Sequence, residues 1–321
     1  MAPTENTATK KNYALITGAT SGIGYELAHY AAGDGYNLVL VARTKDRLET
    51  IAAEIKKVFG VTVYTVPKDL FKPGAAKEVY DATQSEGLIV DVLINAAGQG
   101  EWGSFTETDL DREIDLIHLN IIALTSMNKY YVHDMVARRF GRILNLASSL
   151  AKTPTPLMSV YAATKAYVLS LSEALAEELK DTGVTVTALQ PYATDTDFFH
   201  KAKGEHTNIY KEGTLSDPYE VAKAGYDAML EGSVTVMPGL INKVQGAMNN
   251  LTPDSVIASN LHSMMKPSTS ADGREGITHL PSAQARLEIN EKSGAKNGDY
   301  KGHEGHIHED ESTAPATAKI K

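Results

Sequence analysis

The chain has 321 residues, 42% of them apolar and 22% charged, a balance typical of a soluble globular protein. A formal charge of −9 disfavours a nucleic-acid partner, and the absence of cysteine excludes disulfides, thiolate chemistry and cysteine-ligated zinc. The first twelve residues lack the apolar stretch of a signal peptide, and no apolar run approaches the ~20 residues of a membrane span, so a cytoplasmic protein without a membrane partner is expected.

Residues 1–11 read as a disordered N-terminal tail. From Tyr13 onward, short apolar runs alternate with longer stretches of helical period. Strands are expected at 13–17, 37–42, 61–66, 90–95, 142–147, 184–190 and 234–237. Helices are expected at 22–32, 44–59, 75–85, 110–139 and 159–181. A further helix starts at Asp217, with Pro218 in its first position and Glu220 completing a capping box. Strands that are apolar on both faces and alternate with helices imply an α/β fold, a Rossmann-like doubly wound parallel sheet of about seven strands with helices on both faces. This domain spans 12–240. Residues 241–266 read as an extension of one or two amphipathic helices, with Thr252 and Pro253 capping the second. From 267 to 321 the chain turns polar and cannot bury enough apolar surface to offset its ordering entropy, so a disordered tail is expected. Its His303, His306 and His308 lie among Glu304, Glu309 and Asp310. Without a fold to fix ligand geometry they read as a solvated tract rather than a metal site, and no metal is expected.

Strand 13–17 runs into Thr17-Gly18-Ala19-Thr20-Ser21-Gly22-Ile23-Gly24. Glycines between a strand and a helix let the backbone approach a pyrophosphate, and the helix start offers free N–H groups to that anion. Further along, Tyr161 and Lys165 share one helix face at i, i+4 spacing. A free phenol with a pKa of about 10 is a poor acid–base catalyst near neutrality, and a neighbouring ammonium is expected to lower that value. Such a pair is common on helix surfaces. Ser148, at the carboxyl end of strand 142–147, adds a hydroxyl where doubly wound sheets bind ligands.

The glycine spacing, the Ser148–Tyr161–Lys165 order and the segment Asn95-Ala96-Ala97-Gly98 together closely resemble the classical short-chain dehydrogenase/reductase family over roughly residues 12–240. The resemblance implies binding of NAD(P) by Gly18, Thr20, Ser21, Gly22, Ile23 and Gly24, with Asp69 and Leu70 at the adenine and Asn95, Ala96 and Gly98 along the cleft. It implies Thr196 near the nicotinamide amide, Asn120 as a fourth catalytic residue, and Tyr161 and Lys165 in contact with cofactor as well as substrate. Ala96 stands where the family has a second Asn, and Tyr192 where it has a Gly. Asp69 also reads as an ordinary loop cap. At the end of the second strand the family's NAD-selecting acid is replaced by Ala42, and Arg43 follows with a guanidinium suited to a 2′-phosphate. NADP(H) is therefore the expected cofactor, against the plainer reading of Arg43 as a surface arginine.

The implied activity is interconversion of a ketone or aldehyde with its alcohol. Trp102, Leu150, Met158, Tyr192, Phe198 and Phe199 are candidates for an apolar substrate pocket under a lid at 193–216. A non-catalytic NADP-binding sensor or scaffold is the alternative. A sugar-nucleotide epimerase of the related extended type is disfavoured by the glycine spacing. Small and apolar residues on helix 159–181 (Ala163, Ala166, Val168, Leu171, Ala174, Leu175) exceed what one buried face needs. With the pairing common in the family, they suggest a homodimer or homotetramer.

Overall fold

In the computed structural model, which describes residues 12–239 and 253–269, the apolar runs become one parallel sheet of seven strands in the order β3-β2-β1-β4-β5-β6-β7. The strands are β1 (Tyr13–Thr17), β2 (Asn37–Ala42), β3 (Val63–Pro67), β4 (Val90–Asn95), β5 (Gly141–Leu146), β6 (Val184–Leu189) and β7 (Thr235–Val236). The helices are α1 (Gly22–Gly33), α2 (Lys45–Phe59), α3 (Ala75–Ser85), α4 (Leu110–Ile117), α5 (Leu124–Arg138), α6 (Ser159–Leu179), two short ones, α7 (Phe198–Lys201) and α8 (Asn208–Lys211), then α9 (Pro218–Glu231) and α10 (Asp254–Met265).

Alternation within each apolar run feeds two cores. In β1, Ala14 and Ile16 face α1, α2 and α9, while Leu15 faces the layer of α3, α5 and α6. In β2, Leu38 and Leu40 face the first layer, and Val39 and Val41 the second. A strand buried on both sides has no room for a polar outer face, which is why these runs are continuously apolar. The strand order reverses between β1 and β4, so a crevice opens outside their carboxyl ends.

Boundaries of β3, β5 and α6 shift by one or two residues, and two elements differ more. The helix expected over 110–139 is broken by a π-helical turn, His118–Ala123. Apolar periodicity does not register one widened turn. The seventh strand shrinks to two residues at the sheet edge, where β6 alone supports it. Asp217 caps α9 as expected, its side chain accepting the Tyr219 N–H at 2.8 Å. The chain also stays attached to the body past residue 266. Pro267 bridges Thr207, and the Ser268 N–H donates to the His206 carbonyl. Residues 1–11, the first part of the C-terminal extension including Thr252, and the polar stretch from 270 onward with its histidines lie outside the described residues.

The carboxyl ends of β4 and β5 are tied by a buried amide network. Asn145 accepts from Asn95 at 2.9 Å and from Asn128 at 3.2 Å, and donates to the Ser172 hydroxyl at 3.0 Å. Asn145 is fully buried, so removing its amide leaves three partners without it and without water. At about 1–3 kcal/mol per orphaned group, partly relieved by rearrangement, Asn145→Ala is expected to lower unfolding free energy by about 2–4 kcal/mol. Denaturant melts check this, and an unchanged midpoint would refute the network's role.

Candidate active site

At the crevice, Gly18 adopts φ +70°, and a Cβ there would lie 2.8 Å from the Ala97 backbone nitrogen. Thr17 braces the same approach, its hydroxyl accepting the Ala97 N–H at 3.1 Å. Gly24 brings the first turn of α1 so close that a Cβ would meet the Gly18 carbonyl oxygen at 2.5 Å. A Cβ on Gly22 (φ +57°) would press on Thr196 Cγ2 at 2.9 Å, which places Thr196 beside the glycine turn. Ser21 is the N-cap residue of α1 but makes no capping bond. Its hydroxyl instead accepts from Lys201 at 3.3 Å, and the first residues of the helix line the cleft.

The cleft has a volume of about 340 Å³. Gly18, Thr20, Ser21, Gly22, Ile23, Gly24, Arg43, Asp69, Leu70, Ala96, Gly98 and Thr196 line it together with Ser148, Tyr161 and Lys165. Asn95 does not, because its side chain turns into the sheet network. Asn120 lies just behind the wall, in the π-helical turn. There its amide donates to the Gln99 carbonyl at 2.9 Å and to Thr164 at 3.0 Å. A Cβ on Gly98 would sit 3.2 Å from Lys165 Nζ and 3.4 Å from Asn120 Oδ1, so these three residues converge. Asp69 accepts the Phe71 N–H at 3.2 Å, the loop-cap arrangement, while remaining in the wall. The exposed Arg43 stacks over the Phe71 ring at 5.3 Å. Of the apolar candidates, Leu150, Met158, Tyr192, Phe198 and Phe199 line the cleft. Trp102 does not; its indole donates to the Met265 carbonyl at 2.7 Å. Ile209, Leu261 and Met265 line the cleft unexpectedly. No sequence signal joins α10 to a site built so much earlier in the chain.

Ser148, Tyr161 and Lys165 form the polar centre. The Ser148 hydroxyl accepts the Leu150 N–H at 3.1 Å and shares the cleft wall with the Tyr161 phenol. Burial pushes the Tyr161 pKa up to about 12, opposed by the neighbouring Ser148 hydroxyl. Burial likewise pushes Lys165 down to about 8. The expected lowering of the phenol by the ammonium is not seen. Lys165 Nζ stands 5.7 Å from the centre of the Tyr161 ring and donates to the Leu146 carbonyl at 2.6 Å, while loss of water raises the phenol. The phenol therefore holds its proton at neutral pH. The arrangement offers a buried proton donor, a hydroxyl beside it, a cation behind it, and a closely packed glycine turn in the same cleft.

Comparison with known proteins agrees with this architecture. The short chain dehydrogenase family model matches residues 12–207. A mouse 17-beta-hydroxysteroid dehydrogenase type 3 is 36% identical over 188 residues, and a human very-long-chain 3-oxoacyl-CoA reductase is 35% identical over 190. Each match covers 57% of this chain and 60% of the relative, so the chain spans less than two thirds of these proteins' length. A short-chain dehydrogenase from Sphingobium yanoikuyae, solved with NADPH, is 31% identical with a TM-score of 0.68 over 82% of this chain and all of that one. A bulky-bulky ketone specific alcohol dehydrogenase from Comamonas testosteroni is 28% identical with a TM-score of 0.64, over 85% of this chain and all of that one. Fold and cleft together define a Rossmann-type protein with a polar centre at the carboxyl ends of its strands. The chain belongs to the short-chain dehydrogenase family.

The buried ammonium has a consequence for stability. The value of about 8 for Lys165 lies below its ordinary 10.5, so between those pH values the unfolded chain binds a proton that the folded chain does not. Stability contributed by this group therefore rises with pH through that window. Lys165→Met should raise unfolding free energy at pH 7 by about 1–3 kcal/mol, allowing for the lost bond to Leu146, and the gain should shrink toward pH 10. Denaturant melts of both proteins at the two pH values decide it. A variant less stable at pH 7 would contradict the burial penalty.

Proposed function

We propose that this chain is an NADP(H)-dependent oxidoreductase that interconverts a ketone or aldehyde and its alcohol, with Tyr161 as general acid and base. The observation that carries the reading is one cleft in which the Gly18–Gly24 turn and the buried Tyr161 phenol open onto the same space. The residues present suit the dinucleotide. The uncapped start of α1, the hydroxyls of Thr20 and Ser21 and the glycine cradle would hold its pyrophosphate, and Arg43 at the rim would pair a 2′-phosphate. When bound, the cofactor supplies or accepts the hydride at the carbonyl carbon.

The chain's own residues handle the proton and the geometry. The Ser148 hydroxyl orients the substrate oxygen next to the phenol. Tyr161 donates its proton to that oxygen in reduction and recovers it in oxidation. A phenol kept neutral by burial is a competent donor once the oxygen begins to gain negative charge. Lys165 supplies a positive charge within the same buried space, which favours the phenolate left behind. Asn120, fixed by Gln99 and Thr164, holds the wall against which Lys165 stands. Ala42 and Arg43 support NADP(H) over NAD(H), as does the NADPH-bound neighbour from Sphingobium yanoikuyae. The apolar wall suits a ketone carried on a bulky apolar group. The names of the mouse steroid enzyme, the human long-chain reductase and the bulky-ketone enzyme support that class.

The test is a panel of ketones with each cofactor, read by loss of reduced-nicotinamide absorbance. Wild type should favour NADPH in kcat/KM by ten-fold or more. Ala42→Asp combined with Arg43→Ala should move the preference toward NADH. Tyr161→Phe should abolish turnover while still binding NADPH. Wild-type rates in that variant, or binding without turnover of any ketone by wild type, would favour the sensor reading instead.

We further infer a homodimer. Leu110, Ile114, Ile117 and Ile122 are exposed on α4 and the π-helical turn, beside Ala163, Ala166, Tyr167 and Ala174 exposed on α6. Such a patch of apolar and small residues suits isologous pairing with a second copy. Light scattering should give about twice the chain mass of 34.6 kDa; a monomer at micromolar concentration would exclude it.

A further inference from the structure

Two parts of the chain far apart in sequence close the substrate side of the cleft as one piece. The segment from 193 to 216 leaves the body and returns at a single point. Thr194 bridges Ser216, the Asp195 N–H donates to the Ser216 carbonyl at 3.0 Å, and the Ser216 N–H to the Ala193 carbonyl at 2.9 Å. The C-terminal helix α10 is fastened onto that loop. The Asn208 N–H donates to the Lys266 carbonyl at 2.9 Å, and its side-chain amide to the Ser263 carbonyl at 3.0 Å. The Ser268 N–H donates to the His206 carbonyl at 2.8 Å, and Thr207 and Pro267 form an antiparallel bridge.

One residue of the body grips both parts. The backbone N–H of Trp102 donates to the Ala202 carbonyl of the lid at 2.8 Å, and its indole N–H to the Met265 carbonyl of α10 at 2.7 Å. The ring meets His206 edge-on at 4.3 Å. Next to it, the buried Glu101 pairs with Lys203 of the lid and with Arg112 of α4. Met265 is 2% exposed and packs in the apolar cluster that contains Met158, Tyr161 and Phe199. With Leu261 it forms part of the cleft wall. Both side chains lack hydrogen-bonding groups suited to a polar substrate, and both lie past residue 207, where the family match ends.

We propose that the lid and α10 form a single cap locked by Trp102, and that Met265 and Leu261 determine the size of the apolar group a substrate carries. This rests on the carbonyl-reducing reading of the site. An unbranched thioether adapts its shape to different apolar groups, while its length limits how far such a group extends toward α10. Shortening it opens room for larger groups and removes packing from small ones. One methylene in an apolar pocket is worth about 10- to 200-fold in discrimination, so the effect of several atoms is readable.

The experiment has two arms on the full-length chain. In the first, methyl ketones from butanone to undecan-2-one are reduced with NADPH by wild type, Met265→Ala and Leu261→Ala. Met265→Ala should raise kcat/KM for the long ketones relative to butanone about ten-fold, with Leu261→Ala shifting it the same way. An unchanged ratio in both variants overturns the assignment. The second arm is amide hydrogen exchange and needs no turnover. Segments 198–211 and 254–268 should exchange in step, and Trp102→Phe, which keeps a ring but removes the indole donor, should speed both by a similar factor while α9 is unaffected. Independent exchange of the two segments overturns the cap. If wild type reduces no ketone, the proposed function falls in the first arm, and the second still decides whether the two segments are one piece.

Discussion

The approach of Gly18 to the backbone at Ala97 is the contact on which this architecture turns. It lies where the strand order reverses, between β1 and β4, so it sets how closely the two halves of the sheet come together at their carboxyl ends. A side chain at Gly18 would push that edge open, and one at Gly24 would lift α1 off the turn. With both absent, the uncapped helix start, the end of β4 and the loop after β5 line one cleft of about 340 Å³. The Asn95–Asn145 pair holds that gap from within the sheet, which gives Asn95 a structural task behind the wall it was expected to line.

Burial sets the chemistry inside the gap. Removing water from Tyr161 keeps its proton on, and removing water from Lys165 makes its charge costly. These two effects outweigh the attraction between the groups because the ammonium is directed to a backbone carbonyl and stands over the ring rather than at the phenolic oxygen. A site of this kind trades stability for a neutral donor beside a cation, and the surrounding core of Leu, Ile and Val supplies the stability that is traded.

The polar floor and the apolar roof have different origins in the chain. The floor comes from the ends of β1, β4 and β5 and from the first turns of α6, which pack directly on the sheet. The roof comes from the lid and α10, held by backbone carbonyls, one indole and one buried carboxylate. Such a division lets the roof vary in shape without disturbing the residues proposed to move the proton, since neither part of the cap supplies Ser148, Tyr161 or Lys165.

The sequence by itself determined the parallel sheet, the glycine turn and the association of Ser148, Tyr161 and Lys165. The sheet and the turn rest on local rules, apolar runs buried on both faces and glycine where φ is positive; i, i+4 spacing pairs Tyr161 with Lys165, and Ser148 joined them through the resemblance to the short-chain dehydrogenase family. It also carried Ala42 and Arg43, which sit in consecutive positions at a strand end. Tertiary structure alone decided the π-helical turn that sets Asn120 against Gln99 and Thr164, because a single widened turn leaves the apolar pattern intact. It alone turned Asn95 inward and moved Trp102 from the cleft wall to the cap. It alone brought Leu261 and Met265 over the cleft, since contacts between residues so far apart in the chain depend on how the layers close, and no local spacing encodes that. The same holds for the protonation of Tyr161. A neighbouring lysine is visible in the sequence, but the loss of water that outweighs it exists only once the core has formed around both.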